Sequence, residues 1–240
     1  CLRIRRCGTA LEAMNKKQQQ QKIKIKIKKC SLEVRYNEPG FLFDMRLPWS
    51  GDGDVRVGFF SSPDGKQWTK VSLIVDSEPD VPSEAELQFF GDTAVSLVRL
   101  DNGTSLLSEG HTAVCVASPP YATWDCGRRF DKRLDGPKWF QHAGRQFVMA
   151  RKHLDDGRKR TALYEIVGTL PDPSAAVSLR ELFEFQSAGD TAYVGVLPIG
   201  GDQFLVSWYS SVVAKDEQWF SGMFDQSDIW TAWVDLRCLP

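Results

Sequence analysis

The chain has 240 residues, with 30 lysines and arginines against 31 aspartates and glutamates, a formal net charge of −1. That balance gives no global field to draw in nucleic acid or an anionic membrane, and no apolar run approaches the length that spans a bilayer. Hydrophobic residues make up 42% of the chain, with 8 tryptophans and 14 phenylalanines, large flat side chains of the kind that pack sheets face to face.

The first thirty residues differ from the rest. Arg3, Arg5 and Arg6 make the start basic, but no apolar stretch follows before Lys16 as a secretory signal would require. A glutamine run follows, and from Lys22 to Lys28 lysine alternates with isoleucine. Residues 1–30 read as a low-complexity basic tail, disordered or foreign to the fold. No aromatic residue is interleaved with the lysines for base stacking, so nucleic acid is not an expected partner. Cys1, Cys7, Cys30, Cys115, Cys126 and Cys238 form no CxxC pair and no zinc pattern. Cys115 and Cys126 are near enough in sequence to bridge, but read as isolated thiols.

From residue 31 to residue 240 a repeat emerges. Gly40, Gly91, Gly144 and Gly201 each precede an apolar strand: Phe41–Arg46, Ala94–Arg99, Gln146–Arg151 and Gln203–Tyr209. Their spacing of roughly fifty residues is the size of a four-stranded propeller blade. One blade reads as a meander: Leu87–Phe90, a Gly91-Asp92 turn, Ala94–Leu100, an Asn102-Gly103 turn and Ser105–Leu107. Pro171–Ser174 reads as a loop between blades. The expected class is all-β, an incomplete propeller of the six-bladed type with about four to five blades present.

Ser62-Pro-Asp64-Gly65-Lys-Gln-Trp68 follows the strand Val55–Phe60. In such a turn the serine and aspartate side chains hydrogen-bond the local backbone, and the glycine absorbs a positive φ. The motif resembles the Asp box, or BNR repeat, of sialidase-type propellers. Asp boxes lie on the rim, so Asp64 is read as structural and not catalytic.

Further residues resemble an exo-sialidase site in order and spacing. Those enzymes hold a substrate carboxylate with arginines and attack the anomeric carbon with a tyrosine activated by a glutamate. A carboxylate nucleophile would be repelled by the sugar's own carboxylate, and a neutral phenol with an adjacent base is not. Arginine's planar fork matches a carboxylate in two parallel hydrogen bonds. The resemblance implies Tyr193, in Gly-Asp-Thr-Ala-Tyr, as nucleophile and Glu84 as its base, with Arg99 and Arg160 as the clamp. Glu86 is an alternative to Glu84. Arg151, the repeat-equivalent of Arg99, is an alternative to Arg160. Tyr209, Trp208 and Trp230 are assigned to blade packing, and His111, His142 and His153 to no role.

The family's first arginine and its acid aspartate match no residue. Arg46-Leu47-Pro48 lies too close to the Ser62–Trp68 turn, and Asp44 and Asp52 lack the expected setting. Without them several kcal/mol of transition-state stabilisation is lost, so this stretch alone is expected to be weak or inactive. The resemblance implies a retaining exo-glycosidase acting on sialic acid or a related acidic sugar, as a monomer with no metal or organic cofactor. The alternative is a non-catalytic glycan-binding or scaffold propeller. A third possibility is a propeller glycosidase built on three carboxylates.

Overall fold

The computed structural model describes residues 3–6, 40–45, 56–76, 80–102 and 110–239. Almost all of their regular structure is β. The strands are β1 (Arg3–Arg6), β2 (Gly40–Met45), β3 (Arg56–Ser62), β4 (Thr69–Asp76), β5 (Asp80–Phe90), β6 (Thr93–Asn102), β7 (His111–Ala117) and β8 (Asp125–Phe130). Then come β9 (Asp135–His142), β10 (Arg145–His153), β11 (Lys159–Val167), β12 (Ser178–Phe185), β13 (Thr191–Gly200), β14 (Gln203–Ser211) and β15 (Ser227–Asp235). The one described α-helix, α1 (Trp219–Gly222), lies between β14 and β15. No helix among the described residues is long and apolar enough to cross a membrane.

The strands make four antiparallel sheets, ordered β2-β3-β4, β5-β6-β7-β8, β9-β10-β11-β12 and β13-β14-β15-β1. The first three are meanders, the pattern of a propeller blade, and the fourth is a three-stranded meander completed by β1 from the start of the chain. The turn glycines set the correspondence between blades. Gly91, Gly144 and Gly201, at φ of 58°, 75° and 54°, join the first strand of a blade to its second. Gly40 opens β2, an edge strand of the three-stranded sheet.

The middle strands of the β5–β8 and β9–β12 blades are buried on both faces, so they read as near-continuous apolar runs. In β10, Val148 and Ala150 face one core, shared with the β5–β8 blade through Val95, Leu97 and Val114. Phe147 and Met149, on the opposite face, join a second core with Phe204, Val206 and Trp208 of β14. A third core joins Val57, Phe59 and Ile74 to Val98, Leu100 and Ala113. Successive side chains of a strand point to opposite faces, so adjacent residues serve different seams.

Several local expectations change. Arg3–Arg6, inside the segment read as a tail, pair with β15 as the outer strand of the last blade, with Ile4 opposite Ala232. The remaining residues of the tail lie outside the described ones, as do Arg46, Asp52 and 105–107. The third strand of the β5 blade runs over His111–Ala117. Pro171–Ser174 joins β11 to β12, two strands of one blade, and so does not separate blades. Cys115 of β7 and Cys126 of β8 are joined by a disulfide, because the pairing of these neighbouring strands brings them together.

The Ser62–Trp68 turn forms the expected bonds. Gly65 N–H donates to Ser62 Oγ at 2.8 Å, and Lys66 and Gln67 N–H donate to Asp64 Oδ1 at 2.8 and 2.9 Å. Gly65 has φ of 69°, and Trp68 is half-buried. Asp64 is thereby consumed by its own turn.

Candidate active site

The inner strands β5, β9 and β13 of three successive blades run beside one another, and their starts converge. Glu84 is the fifth residue of β5, Asp135 opens β9, and Asp190 immediately precedes β13. Tyr193 Oη donates to Glu84 Oε1 at 2.5 Å, across 109 residues of sequence. Glu84 Oε2 accepts from Arg99 Nη1 at 2.9 Å and from Gly136 N–H at 2.7 Å. Tyr193, Glu84 and Arg99 are thus one hydrogen-bonded unit.

Local backbone geometry explains how the phenol reaches the carboxylate. The β13–β14 pairing shifts register between Ala192 and Gly195, and Tyr193 within that irregularity has φ of 50°. Bulges of this kind re-aim a side chain, and a non-glycine residue held there stores about 1–3 kcal/mol of strain. Gly136 supplies the space. A Cβ on it would sit 3.2 Å from Tyr193 Cδ1 and from Tyr193 N, at φ of 55°. The same residue thus accommodates the tyrosine ring and gives its N–H to the tyrosine's partner.

Although Tyr193 is 58% exposed, its hydroxyl end is partly desolvated. Burial, followed by the charge of Glu84, raises its pKa well above the ordinary phenol value. At neutral pH the phenol keeps its proton, and the bond to Glu84 gives that proton a place to go once an electrophile is attacked.

Asp135 lies beneath this pair, its side chain only 1% exposed. It is 2.9 Å from Arg133 Nε, 3.2 Å from Arg99 Nε and 3.3 Å from Arg151 Nη1. Burial disfavours its charge, but the His153 hydrogen bond and the charges of Arg99 and Arg133 outweigh it and hold the carboxyl below the usual carboxylate range. Lys159 Nζ lies 2.7 Å from His153 Nδ1, and His153 Nε2 lies 2.9 Å from Asp135 Oδ2. A charged lysine only donates, so Nδ1 accepts and Nε2–H donates to Asp135. Burial lowers the His153 pKa, consistent with a neutral ring.

On the β13 side, Arg151 donates to Thr191 O at 2.6 Å, to Asp190 Oδ1 at 2.6 Å and to Tyr209 Oη at 3.2 Å. Tyr209 Oη donates to Asp190 Oδ2 at 2.9 Å, and Trp219 Nε1 of α1 donates to Asp190 Oδ1 at 3.0 Å. The Tyr193 and Tyr209 rings stack at 6.1 Å. Four cations, Arg99, Arg133, Arg151 and Lys159, therefore face four carboxylates, Glu84, Asp101, Asp135 and Asp190.

Arg160 lies elsewhere. In the β10–β11 register Arg151 stands opposite Thr161 and Lys152 opposite Arg160, so Arg160 occupies the other face of the sheet. Its guanidinium bonds Asp216 at 2.5 Å and Lys159 O at 2.9 Å. Arg151 is the arginine brought to the cluster. Glu86 pairs with Lys138 at 3.3 Å.

Asp101, Arg133, Asp135, His153, Asp190 and Tyr209 were not singled out from the sequence as members of a site. A usable signal exists for two of them. Asp135 and Asp190 precede the turn glycines Gly144 and Gly201 by nine and eleven residues, as Glu84 precedes Gly91 by seven, each ahead of or within an inner strand. Tyr209, read as packing, is the counterpart on β14 of Arg99 and Arg151, and its hydroxyl enters the cluster. Trp208 does pack, fully buried, with Nε1 donating to Gln186 O at 3.1 Å. Among the described residues no group of three or more His, Cys, Asp or Glu side chains is arranged to hold a metal ion.

No family model matches the sequence, and no curated protein matches it. Solved structures do match in fold. A family 43 β-1,3-galactosidase is 11% identical, with a TM-score of 0.54, over 75% of this chain and 68% of that one. A family 32 β-fructofuranosidase from Bombyx mori is 17% identical, with a TM-score of 0.51, over 74% of this chain and 40% of that one. A family 43 protein from Bacteroides ovatus is 13% identical, with a TM-score of 0.49, over 74% of this chain and 34% of its own length. The chain thus spans only part of the structures it resembles, from about a third to two thirds of their length. At these identities the likeness is one of fold: an all-β assembly of propeller blades of the kind found in glycoside hydrolases.

Proposed function

We propose that this chain carries the nucleophile half of a retaining exo-glycosidase site for sialic acid or a related acidic sugar. The observation that carries the reading is the 2.5 Å hydrogen bond from Tyr193 Oη to Glu84 Oε1. Tyr193 Oη attacks the anomeric carbon while its proton passes to Glu84. The glycosidic C–O bond breaks, its leaving oxygen taking a proton from solvent; water then attacks the anomeric carbon and loses a proton to solvent, while Tyr193 Oη leaves and regains its proton from Glu84. Arg99 and the Gly136 N–H hold Glu84 in place for both steps. Arg99 and Arg151 form the carboxylate-facing pair, with Arg151 in the role first given to Arg160. Among the described residues none is assigned the proton donor for the leaving oxygen.

A fluorogenic sialoside assay on the purified chain and on Tyr193→Phe tests this. Release by the wild type that is lost in the variant supports the reading. Equal signals from the two defeat it.

One observation favours a second reading, a non-catalytic glycan-binding propeller. The donors of Arg151 already meet Thr191 O, Asp135, Asp190 and Tyr209, and the cluster's charges balance. Such a surface suits the hydroxyls of a saccharide as well as a carboxylate. Saturable binding of a neutral sugar by both the wild type and Tyr193→Phe, with no turnover, would select it.

A further inference from the structure

Asp135 is too buried to touch a substrate, yet its carboxylate contacts every arginine of the cluster. Its contacts are asymmetric. Arg133, itself 5% exposed, lies across both Asp101 at 3.1 Å and Asp135 at 2.9 Å, anchoring the carboxylate from behind. His153 fixes the second oxygen from the side at 2.9 Å. The remaining contacts, at 3.2 and 3.3 Å, go to Arg99 and Arg151, the two arginines nearest Tyr193. The residue after Asp135 is Gly136, whose N–H holds Glu84. One four-residue stretch, Arg133 to Gly136, therefore touches the base and both arginines.

Three guanidinium groups around one carboxylate repel one another, and the shared carboxylate offsets that repulsion. We propose that Asp135 is a positioning residue: it holds Arg99 and Arg151 at one separation and angle, and so presets the forks that receive a substrate carboxylate. This rests on the acidic-sugar reading above. It also separates two physical effects of opposite sign. Neutralising Asp135 makes the cluster more positive, which by field alone tightens binding of an anion. Loss of fork geometry weakens it, because a bidentate contact depends on orientation more than on charge. Geometry is expected to win, since both arginines keep other acidic partners that would turn them away once Asp135 lets go: Asp101 at 2.8 Å for Arg99, Asp190 at 2.6 Å for Arg151.

The test is titration of the full chain with N-acetylneuraminic acid and, separately, with its methyl ester, followed by NMR or calorimetry. The wild type is expected to prefer the acid. Asp135→Asn is expected to weaken acid binding about tenfold while leaving ester binding within about twofold. Tighter or unchanged acid binding, or equal losses for both ligands, overturns the proposal while leaving the acidic-sugar reading intact. A wild type that does not prefer acid to ester overturns that reading, and the proposal with it. If Asp135→Asn is recovered unfolded, Arg133→Lys takes its place. Its single ammonium cannot reach across Asp101 and Asp135 together, so acid preference should fall about threefold; an unchanged preference counts against the proposal.

Discussion

The seam between the β5–β8 and β9–β12 blades and the outward face of the β13–β15 blade are built from the same kinds of residue and used differently. In the seam, Val95, Leu97, Val114, Leu134, Trp139 and Val148 are closed from solvent, and the Arg99–Asp135–Glu84 contacts lie at its end. On the outward face, Leu197 is 57% exposed, with Ile199, Ile229 and Trp233 exposed beside it, and Tyr193, in the irregularity at the start of the same strand, is exposed as well. The base is therefore set in packed protein, where its position follows from the core. The phenol is held by a strand irregularity and a few contacts: the bond to Glu84, the edge of Gly136 and the Tyr209 ring. Changes in the seam should disturb stability and site together, and changes on the face should disturb the site alone or nothing.

The sharpest way to break that contrast is at the base. Glu84→Gln removes the acceptor of the Tyr193 proton and leaves the ring where it is. Sialoside turnover should fall about a thousandfold or more. A residual rate within tenfold of wild type would mean that the phenol acts without its packed partner.

The same chemical change made in both regions gives the next largest effect. Leu97→Ala, in the seam, should destabilise the protein by about 2–5 kcal/mol, the range for emptying a packed leucine site. Leu197→Ala, on the face, should stay within about 0.5 kcal/mol. Urea unfolding of the two variants measures both, and similar losses would mean that the two regions are not distinct.

A third pair separates the two faces of one strand ladder. Arg151→Lys keeps the charge and loses the fork, so kcat/KM for an acidic sugar should drop about 10- to 100-fold. Arg160→Lys, bonded to Asp216 on the other face, should change it less than about twofold.

That third pair also marks where the sequence stops being legible. Tyr193, Glu84 and Arg99 are implied by the resemblance to exo-sialidases, and the fold brings the three side chains together. The choice between Arg151 and Arg160 depends on strand parity, and one position of register turns a side chain to the opposite face. The compensating charges are harder still. Asp135 and Arg133 sit in the charged run Asp131–Gly136, and their pairing partners come from other strands, at Asp101, Arg151 and His153. The Cys115–Cys126 bridge likewise follows from the β7–β8 pairing, which their spacing alone does not supply. The propeller class was readable because it rests on repeats, and the arginine network was not because it rests on contacts between them.

The smallest effect, and the one that probes the seam's charges most directly, is the dependence of stability on pH. Lys159 is 5% exposed. Burial, then the positive charge of Arg133, lowers its pKa from 10.5 to about 8 in the folded chain, against the pull of Asp135. Between those values the unfolded chain binds the extra proton, so stability rises with pH, by up to about 1 kcal/mol per pH unit. Below about pH 8 the lysine is charged in both states and its burial is a constant penalty. His153, with its pKa lowered by burial, is already neutral in this window. Tyr193 and Tyr209 act in the other direction, but only near and above pH 10, because burial raises both and the unfolded phenols lose their protons first. The window from about pH 8 to 9.5 therefore isolates the lysine. Unfolding free energies across it should rise for the wild type relative to Lys159→Met, whose difference from wild type should shrink or reverse sign accordingly. A constant offset between the two proteins would show that Lys159 carries its full charge inside the fold, and that the four-against-four balance beneath Tyr193 is maintained without strain.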